Sequence, residues 1–221
     1  MSYVIILTST VNVKPNINCM FQKDKNERIN TYMKSVLQWL NKTNCNIVLV
    51  ENSGYDYSSE LSNEIQLYKN RFEIISYNEN ELEESKYLLD NISKGDSEIF
   101  TINYAYRQSK LIKEIKPIFI IKITGRFFIP DLEEYLKSYD LNNYDCLSQH
   151  YMLQSEMIGS HYSNFDYIFS TDTHNSRYTE VDFIETVYFD RKNNCKRILV
   201  CKLFDIEETQ TGSNDVRVVH L

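Results

Sequence analysis

Short apolar runs alternate with amphipathic segments along the first part of the chain. The runs are rich in Ile and Val and end in polar residues, a pattern typical of strands buried on both faces of a sheet. Between two of them, apolar residues recur at helical spacing: Ile29, Met33, Val36, Leu37 and Leu40. The pattern predicts strands at 3–8, 47–50, 72–76 and 118–123 and helices at 27–41, 59–70, 79–91 and 97–115. Strands that alternate with helices favour an α/β, Rossmann-like fold with a mostly parallel central sheet.

The second part of the chain has shorter apolar segments, mixed with aromatic and polar residues. It predicts strands at 144–151, 165–170 and 197–204, a helix at 179–190, and a polar tail from residue 207 that ends in an apolar stretch. We expect this part to add a mixed, more antiparallel region to the sheet. Because no repeat or linker divides the chain, we predict a single domain over residues 1–221, with halves of about 1–140 and 141–221.

Composition and charge exclude several classes of protein. The chain has 221 residues, of which 42% are hydrophobic and 25% charged, as in an ordinary globular protein. Its net charge of −7 disfavours binding to a phosphate backbone, so we expect no nucleic-acid partner. The apolar runs at 4–7 and 118–121 are far shorter than the roughly 20 residues needed to span a bilayer, so we expect no membrane span and no signal peptide.

Cysteine usage bears on the compartment. The five cysteines are odd in number and never spaced as C-x-x-C, which argues against a zinc ribbon and against a disulfide framework. A reducing, cytoplasmic location is therefore the expectation. The negatively charged surface is compatible with a monomer and with a dimer, so the oligomeric state stays open.

Polar clusters follow four of the predicted strands. In open α/β sheets, ligands bind at the carboxyl ends of the strands. The clusters are Thr8-Ser9-Thr10, Glu51-Asn52-Ser53, Thr124-Gly125-Arg126 and Ser170-Thr171-Asp172. They predict a binding site at one edge of the sheet, although a polar cluster also occurs wherever a strand simply ends.

Thr124-Gly125-Arg126 is the most informative of these clusters. Gly125 allows close approach of the backbone to a ligand, and Arg126 offers a permanent cation with a planar donor fork suited to phosphate oxygens. Lys122 stands in the same apolar strand and requires a partner, because a buried unpaired charge is costly. That partner is either an anionic ligand or a core carboxylate such as Glu98. The helix start at Lys94 and Gly95 offers a further cation and backbone N–H groups for an anion.

A resemblance to a known family begins at this segment. A Lys-Gly pair before a helix, then a hydrophobic strand ending in K-x-T-G-R-F-F over residues 122–128, resembles small GT-A-type nucleotide-sugar glycosyltransferases with the motif K-x-T-G-R-[YF]-[FY]. The resemblance implies transfer of a sugar from a nucleoside diphosphate sugar to an acceptor hydroxyl of a glycan or another molecule. It implies that about 1–140 bind the donor and about 141–221 the acceptor. The donor-binding residues that it implies are Thr8, Ser9, Thr10, Glu51, Asn52, Ser53, Lys94, Gly95, Lys122, Thr124, Gly125 and Arg126.

The chain departs from the wider superfamily in its metal motif. Most GT-A enzymes carry Asp-x-Asp, which holds a divalent metal on the donor diphosphate, at the strand end occupied here by residues 124–126, and this chain has no Asp-x-Asp. The resemblance then implies that Arg126, with Lys122 or Lys94, neutralises the leaving diphosphate in place of the metal. A divalent cofactor, Mn²⁺ or Mg²⁺, stays open.

A candidate catalytic base is also implied by the resemblance. Inverting enzymes of this fold use a carboxylate at the start of a late helix, often in a Thr-Glu-Asp motif, and this chain has Thr179-Glu180-Val181-Asp182 there. Glu180 and Asp182 are therefore the candidate catalytic residues. The structural alternative is a capping box, in which Thr179 caps the helix and Asp182 closes the box.

Two other functions are compatible with the same residues. A non-catalytic binding module would explain the missing Asp-x-Asp and the imperfect Thr-Glu-Asp. Another α/β nucleotide-dependent transferase, such as a nucleotidyltransferase, is the second alternative. The chain has no G-x-G-x-x-G, Walker or nucleophile-elbow motif, so dehydrogenase, P-loop and hydrolase functions are not supported.

Overall fold

The computed structural model describes residues 2–13, 21–89, 94–172, 184–212 and 215–221. Seven strands from both halves of the chain form one sheet: β1 (Tyr3–Ser9), β2 (Asn46–Glu51), β3 (Phe72–Ser76), β4 (Phe119–Thr124), β5 (Cys146–Ser148), β6 (Met157–His161) and β7 (Ile198–Val200). The helices are α1 (Lys25–Lys42), α2 (Ser62–Leu67), α3 (Lys94–Gln108), α4 (Lys110–Ile115), α5 (Leu132–Lys137), α6 (Phe165–Ile168) and α7 (Ile184–Asn193). A separate hairpin pairs β8 (Asp205–Gln210) with β9 (Arg217–His220).

The sheet has the order β3-β2-β1-β4-β6-β5-β7. Strands β1 to β4 are parallel, β6 is antiparallel to both of its neighbours, and β5 pairs in parallel with β7. The predicted α/β fold, mostly parallel with a mixed second half, is confirmed. Because β2 and β3 lie on one side of β1 and the next strand, β4, lies on the other, the direction of winding reverses at β1, and a crevice opens at its carboxyl end.

Both faces of the sheet are covered, which is why β1 is apolar at successive positions. On one face, Ile5 and Leu7 pack in the same core as Trp39 of α1. On the other face, Val4 and Ile6 belong to the core that α3 completes. The two helices therefore flank the carboxyl ends of β1 and β4.

Two predictions for the first half need correction. The helix predicted at 97–115 is two helices, because Ser109 has extended backbone angles and caps α4, with its Oγ accepting from the Ile112 N–H at 3.0 Å. The pattern concealed this break because Ile112 stays buried on the same side of the sheet as α3. The helix predicted at 79–91 is a 3₁₀ helix over Glu83–Leu88.

The second half differs more from the sequence prediction. The segment predicted as a strand at 165–170 is helix α6, because Phe165, Ile168 and Phe169 bury one helical face despite the β propensity of aromatic residues. The central strand β6 was missed, and the strands predicted at 144–151 and 197–204 shorten to β5 and β7. The predicted helix at 179–190 is α7 from Ile184 onward, and its predicted start lies outside the described residues.

The C-terminal hairpin returns to the sheet edge. Phe204 and Leu221 exchange backbone hydrogen bonds of 2.7 and 2.9 Å and are both buried. The far end of β8 reaches Arg126, whose Nη1 donates to the Gln210 carbonyl at 3.4 Å. The segment predicted as a polar tail with an apolar end is therefore a packed hairpin beside the strand ends.

Two sequence expectations can be compared directly with the described residues. Within them, no helix combines the length and the apolar character needed to cross a bilayer. The thiols of Cys45, Cys146, Cys195 and Cys201 are free.

Candidate functional site

A cavity of about 240 Å³ lies at the carboxyl ends of β1, β2 and β4. Nine of the twelve sequence-predicted binding residues line it: Thr8, Ser9, Thr10, Asn52, Ser53, Lys94, Gly95, Thr124 and Arg126. The strand ends that are far apart in sequence thus meet at one place, as the parallel arrangement requires.

Arg126 is the buried cation of this cavity. It follows β4, is only 7% exposed, and lies over the Tyr32 ring at 5.9 Å from the centroid. Its Nη1 reaches one carbonyl at 3.4 Å, and its Nε is buried without a hydrogen-bond partner. Among the described residues, no carboxylate forms an ion pair with it. A charge buried in this way is costly unless a ligand supplies the opposite charge.

A second arginine lines the same cavity. Arg28, from the first turn of α1, is 2% exposed and lies 5.5 Å from the centroid of the same Tyr32 ring. It donates to the carbonyls of Thr10 at 2.6 Å and Gln22 at 2.9 Å and to the Tyr32 hydroxyl at 2.8 Å. Burial lowers the pKa of Arg28, and the nearby charge of Arg126 lowers it further.

Sequence reasoning missed Arg28, although a signal was present. Arg28, Tyr32 and Val36 recur at intervals of four, and all three lie on the buried face of α1. An arginine on the apolar stripe of an amphipathic helix must be paired or must face a polar cavity. The stripe could therefore have nominated Arg28 as a site residue.

Lys122 does not line the cavity. It is fully buried, and its Nζ bonds Glu98 Oε2 at 2.8 Å, the Ser155 carbonyl at 2.6 Å and Thr124 Oγ1 at 3.1 Å. Of the two alternatives for this lysine, the structure shows the salt bridge to Glu98. Lys122 consequently lies beneath the cavity, and the expectation that it contacts a diphosphate is not supported by its position.

Glu51 also lies beneath the cavity wall. Its carboxylate is fully buried and accepts from the backbone N–H groups of Val11 at 2.9 Å, Ser53 at 2.9 Å and Tyr55 at 2.8 Å. Burial raises the pKa of Glu51, while these hydrogen bonds act in the opposite direction. The residue holds the loops after β1 and β2, and it does not line the cavity in which the sequence prediction placed it.

Asn52 fixes the relative positions of three elements. Its side-chain oxygen accepts from Thr10 Oγ1 at 2.7 Å. Its Nδ2 donates to Glu79 Oε2 at 3.2 Å, Ser97 Oγ at 3.0 Å and Thr101 Oγ1 at 3.2 Å. The carboxyl ends of β1 and β2 are thereby tied to α3, which makes this wall a preformed surface.

Three carboxylates line another part of the cavity. Glu98 comes from α3, Glu156 directly precedes β6, and Glu185 lies in the first turn of α7. Glu98 Oε1 and Glu156 Oε2 are buried without a hydrogen-bond partner, whereas Glu185 Oε1 accepts from Ser155 Oγ at 3.4 Å. Burial raises the pKa of Glu98, and the Lys122 ammonium opposes that shift. This wall offers groups that can accept a proton.

Two further sets of predicted residues are not among the described residues that line the cavity. Glu180 and Asp182 lie outside the described residues, so they stay predictions. Ser170 and Asp172 do not line the cavity, and their carbonyls instead accept from Arg191 at 2.9 and 2.6 Å.

Gly125 holds β1 and β4 together at the cavity floor. Its N–H donates to the Thr8 carbonyl at 2.8 Å, and a Cβ on Gly125 would lie 2.6 Å from that oxygen. The sequence predicted a close approach of the Gly125 backbone to a ligand, whereas the close approach in the structure is to the neighbouring strand β1.

Replacing Gly125 with Ala is expected to destabilise the protein. The new Cβ meets backbone that cannot move without separating two central strands, so we expect a loss of about 2 kcal/mol in the free energy of unfolding. Chemical denaturation measures this loss, with Ser58→Ala in an exposed loop as the control. An unchanged midpoint for Gly125→Ala would show that the strand ends move apart at little cost.

Comparisons with known proteins agree with this fold. No family model and no curated protein matches the chain. A cytidylyltransferase from Leptospira borgpetersenii serovar Hardjo-bovis (strain JB197) matches with a TM-score of 0.51 and 13% identity, over 99% of this chain and 82% of that protein. TarS from S. aureus matches with a TM-score of 0.53 and 12% identity, over 91% of this chain and 35% of TarS. At these identities the matches show the fold alone, an α/β fold with a mostly parallel sheet.

Proposed function

We propose that this protein is a glycosyltransferase that moves a sugar from a nucleoside diphosphate sugar to an acceptor hydroxyl in glycan biosynthesis in the cytoplasm. The observation that carries the proposal is Arg126, a guanidinium buried at the end of β4, facing the cavity with an unpartnered Nε. A planar donor fork at the meeting point of three parallel strands suits a diphosphate. The residue belongs to the segment that resembles GT-A-type enzymes.

The reaction develops negative charge on the leaving diphosphate and releases a proton from the acceptor hydroxyl, and the cavity has groups that can take up both. The bond between the sugar carbon and the diphosphate oxygen breaks, and the leaving diphosphate gains negative charge that the buried guanidinium of Arg126 stabilises. The acceptor oxygen forms the new bond to the sugar carbon, and its proton passes to a carboxylate. Glu180 and Asp182 are the candidates implied by the sequence, and Glu185 is the carboxylate of α7 that lines the cavity.

A nucleotidyltransferase is the second candidate function. The cytidylyltransferase match extends over 99% of this chain. A nucleoside triphosphate would also place phosphates at Arg126. The two functions differ in the product, since a glycosyltransferase releases a nucleoside diphosphate and a nucleotidyltransferase releases pyrophosphate.

A thermal-shift screen with UDP-, GDP-, dTDP- and CDP-sugars and with CTP tests the proposal. We expect one donor class to raise the melting temperature by about 3 °C or more, because a ligand that binds the folded state alone stabilises it by mass action. The donor that binds is then incubated with protein, and the released nucleoside diphosphate is measured. Release of pyrophosphate from CTP would favour the second candidate, and no response to any donor would overturn both. Arg107 is an exposed arginine paired with Glu84, so Arg107→Gln serves as the control variant and is expected to show the same donor-induced shift as the wild type.

A further inference from the structure

Most enzymes of the wider GT-A superfamily hold a divalent metal on the donor diphosphate at the strand end that corresponds to the end of β4, and the residues there do not fit one. Arg126 occupies the place, and Arg28 lies against the same Tyr32 ring. Within the described residues, no group of three His, Cys, Asp or Glu is arranged to hold a metal ion. A dication at this position would be repelled by two buried guanidinium groups.

We propose that Arg126, supported by Arg28 and Tyr32, binds the donor diphosphate without a divalent metal. The inference rests on the proposed function and names the groups that replace the metal. The diphosphate of a nucleotide sugar carries one negative charge on each phosphate, and the two guanidinium groups supply two positive charges. Lys122, one of the two lysines that the sequence offered for neutralising the diphosphate, instead forms a salt bridge with Glu98.

The two arginines have different roles. Arg126 has a buried Nε without a partner and one long bond to a carbonyl, so its donors can turn to phosphate oxygens. Arg28 donates to the carbonyls of Thr10 and Gln22 and to Tyr32, so it is a positioning residue that fixes the cavity wall and contributes its charge.

Tyr32 connects the two guanidinium groups. Its hydroxyl accepts from Arg28 Nη2 at 2.8 Å and lies 3.5 Å from the Thr10 nitrogen, and its ring faces both arginines. Because these contacts use the oxygen as an acceptor, the hydroxyl proton can be donated to a phosphate oxygen in the cavity. Tyr32 also lines the cavity wall.

Calorimetric titration with inorganic pyrophosphate and with UDP in excess EDTA tests the inference. We expect the wild-type protein to bind pyrophosphate in EDTA, and Arg126→Gln to lose at least about 100-fold in affinity, since it removes charge-assisted hydrogen bonds. Arg107→Gln serves as the control and is expected to bind like wild type.

Two further variants separate charge from structure at Arg28. We expect Arg28→Gln to lose about tenfold in affinity and Arg28→Lys to lose less than that, because lysine keeps the charge although it gives up part of the hydrogen bonding. A purely structural role predicts that both variants bind equally weakly. Tyr32→Phe removes the hydroxyl, and we expect it to weaken pyrophosphate binding by about fivefold.

Three outcomes would overturn the inference: binding that appears only when Mn²⁺ or Mg²⁺ is added, no binding of pyrophosphate, or full affinity in Arg126→Gln. Failure of the proposed function is distinguishable from these outcomes. If pyrophosphate binds in EDTA while no nucleotide sugar or CTP binds, the anion site stands and the transferase proposal falls. If metal is required for both binding and turnover, the transferase stands and the metal-free site falls.

Discussion

Replacing Arg126 with Met is expected to raise the stability of the unliganded protein while abolishing nucleotide binding. The guanidinium is 7% exposed and pairs with no carboxylate of the described residues, so only one long hydrogen bond and the contact with the Tyr32 ring offset the cost of burying its charge. It also lies near the charge of Arg28, whose pKa it lowers. Met fills a similar volume without charge, and we expect a gain of about 1 kcal/mol, or roughly 3 °C in melting temperature.

A second buried arginine provides the matched control. Arg191 is 8% exposed, and its guanidinium donates to the carbonyls of Ile168, Ser170 and Asp172 at 3.0, 2.9 and 2.6 Å. Because Arg191→Met leaves these carbonyls without their donor, we expect it to lower the melting temperature. Opposite signs for two buried arginines would mark Arg126 as a residue kept for ligand binding at a cost in stability.

The measurement is thermal unfolding of both variants with and without the donor identified in the screen. We expect Arg126→Met to show no donor-induced shift. A lower melting temperature in both Arg126→Met and Arg126→Gln would contradict the argument, and it would indicate that Arg126 holds the C-terminal hairpin through Gln210.

The part of the site that could be predicted from sequence is the part built by single strands. Each apolar run ends in its own polar cluster, and parallel strands bring those ends to one edge, so Thr8, Asn52 and Thr124 could be placed together without coordinates. The general fold followed from the same alternation of buried strands and helices. No long-range information was required beyond the direction of the strands.

The parts that could not be predicted depend on contacts between distant segments. Arg28 reaches the cavity because α1 packs across β1, and Glu156 reaches it because β6 pairs with β4 in antiparallel orientation. The strand β6 contains Gly159 and Ser160, which gave no β signal; Gly159 pairs with Ile121 of β4 and leaves room for the Phe119 ring. Local pattern cannot encode such neighbours, so the carboxylates Glu156 and Glu185 were found only in the structure, whereas the buried stripe of α1 marked Arg28 without showing what it faces.

Replacing Lys122 with Met is expected to give the largest loss of stability. Removing one partner of a buried ion pair leaves Glu98 facing an apolar neighbour, and we expect a cost of about 3 kcal/mol near neutral pH. The double variant Lys122→Met with Glu98→Gln removes both charges, and we expect it to recover much of that loss. A double variant as unstable as Lys122→Met would show that the bonds of Lys122 to Ser155 and Thr124 matter more than the ion pair.

The stability lost in Lys122→Met should increase as the pH rises. Burial raises the pKa of Glu98 in the folded state, and the nearby carboxylates of Glu185 and Glu156 raise it further, while Lys122 opposes the shift. A carboxyl with a raised folded-state pKa binds more protons when folded, so ionising it costs stability as pH rises from its unfolded value of about 4.5 through its folded value. Removing Lys122 raises that folded value again and extends the window upward.

Urea denaturation at about pH 5 and about pH 8 therefore distinguishes the variants. We expect Lys122→Met to lose less stability at the lower pH, where a larger fraction of Glu98 is protonated and needs no counter-charge. The double variant should show little of this difference, because it has no carboxyl at position 98. An equal loss of stability for Lys122→Met at the two pH values would contradict this expectation, since it would mean that Glu98 does not change its protonation between them.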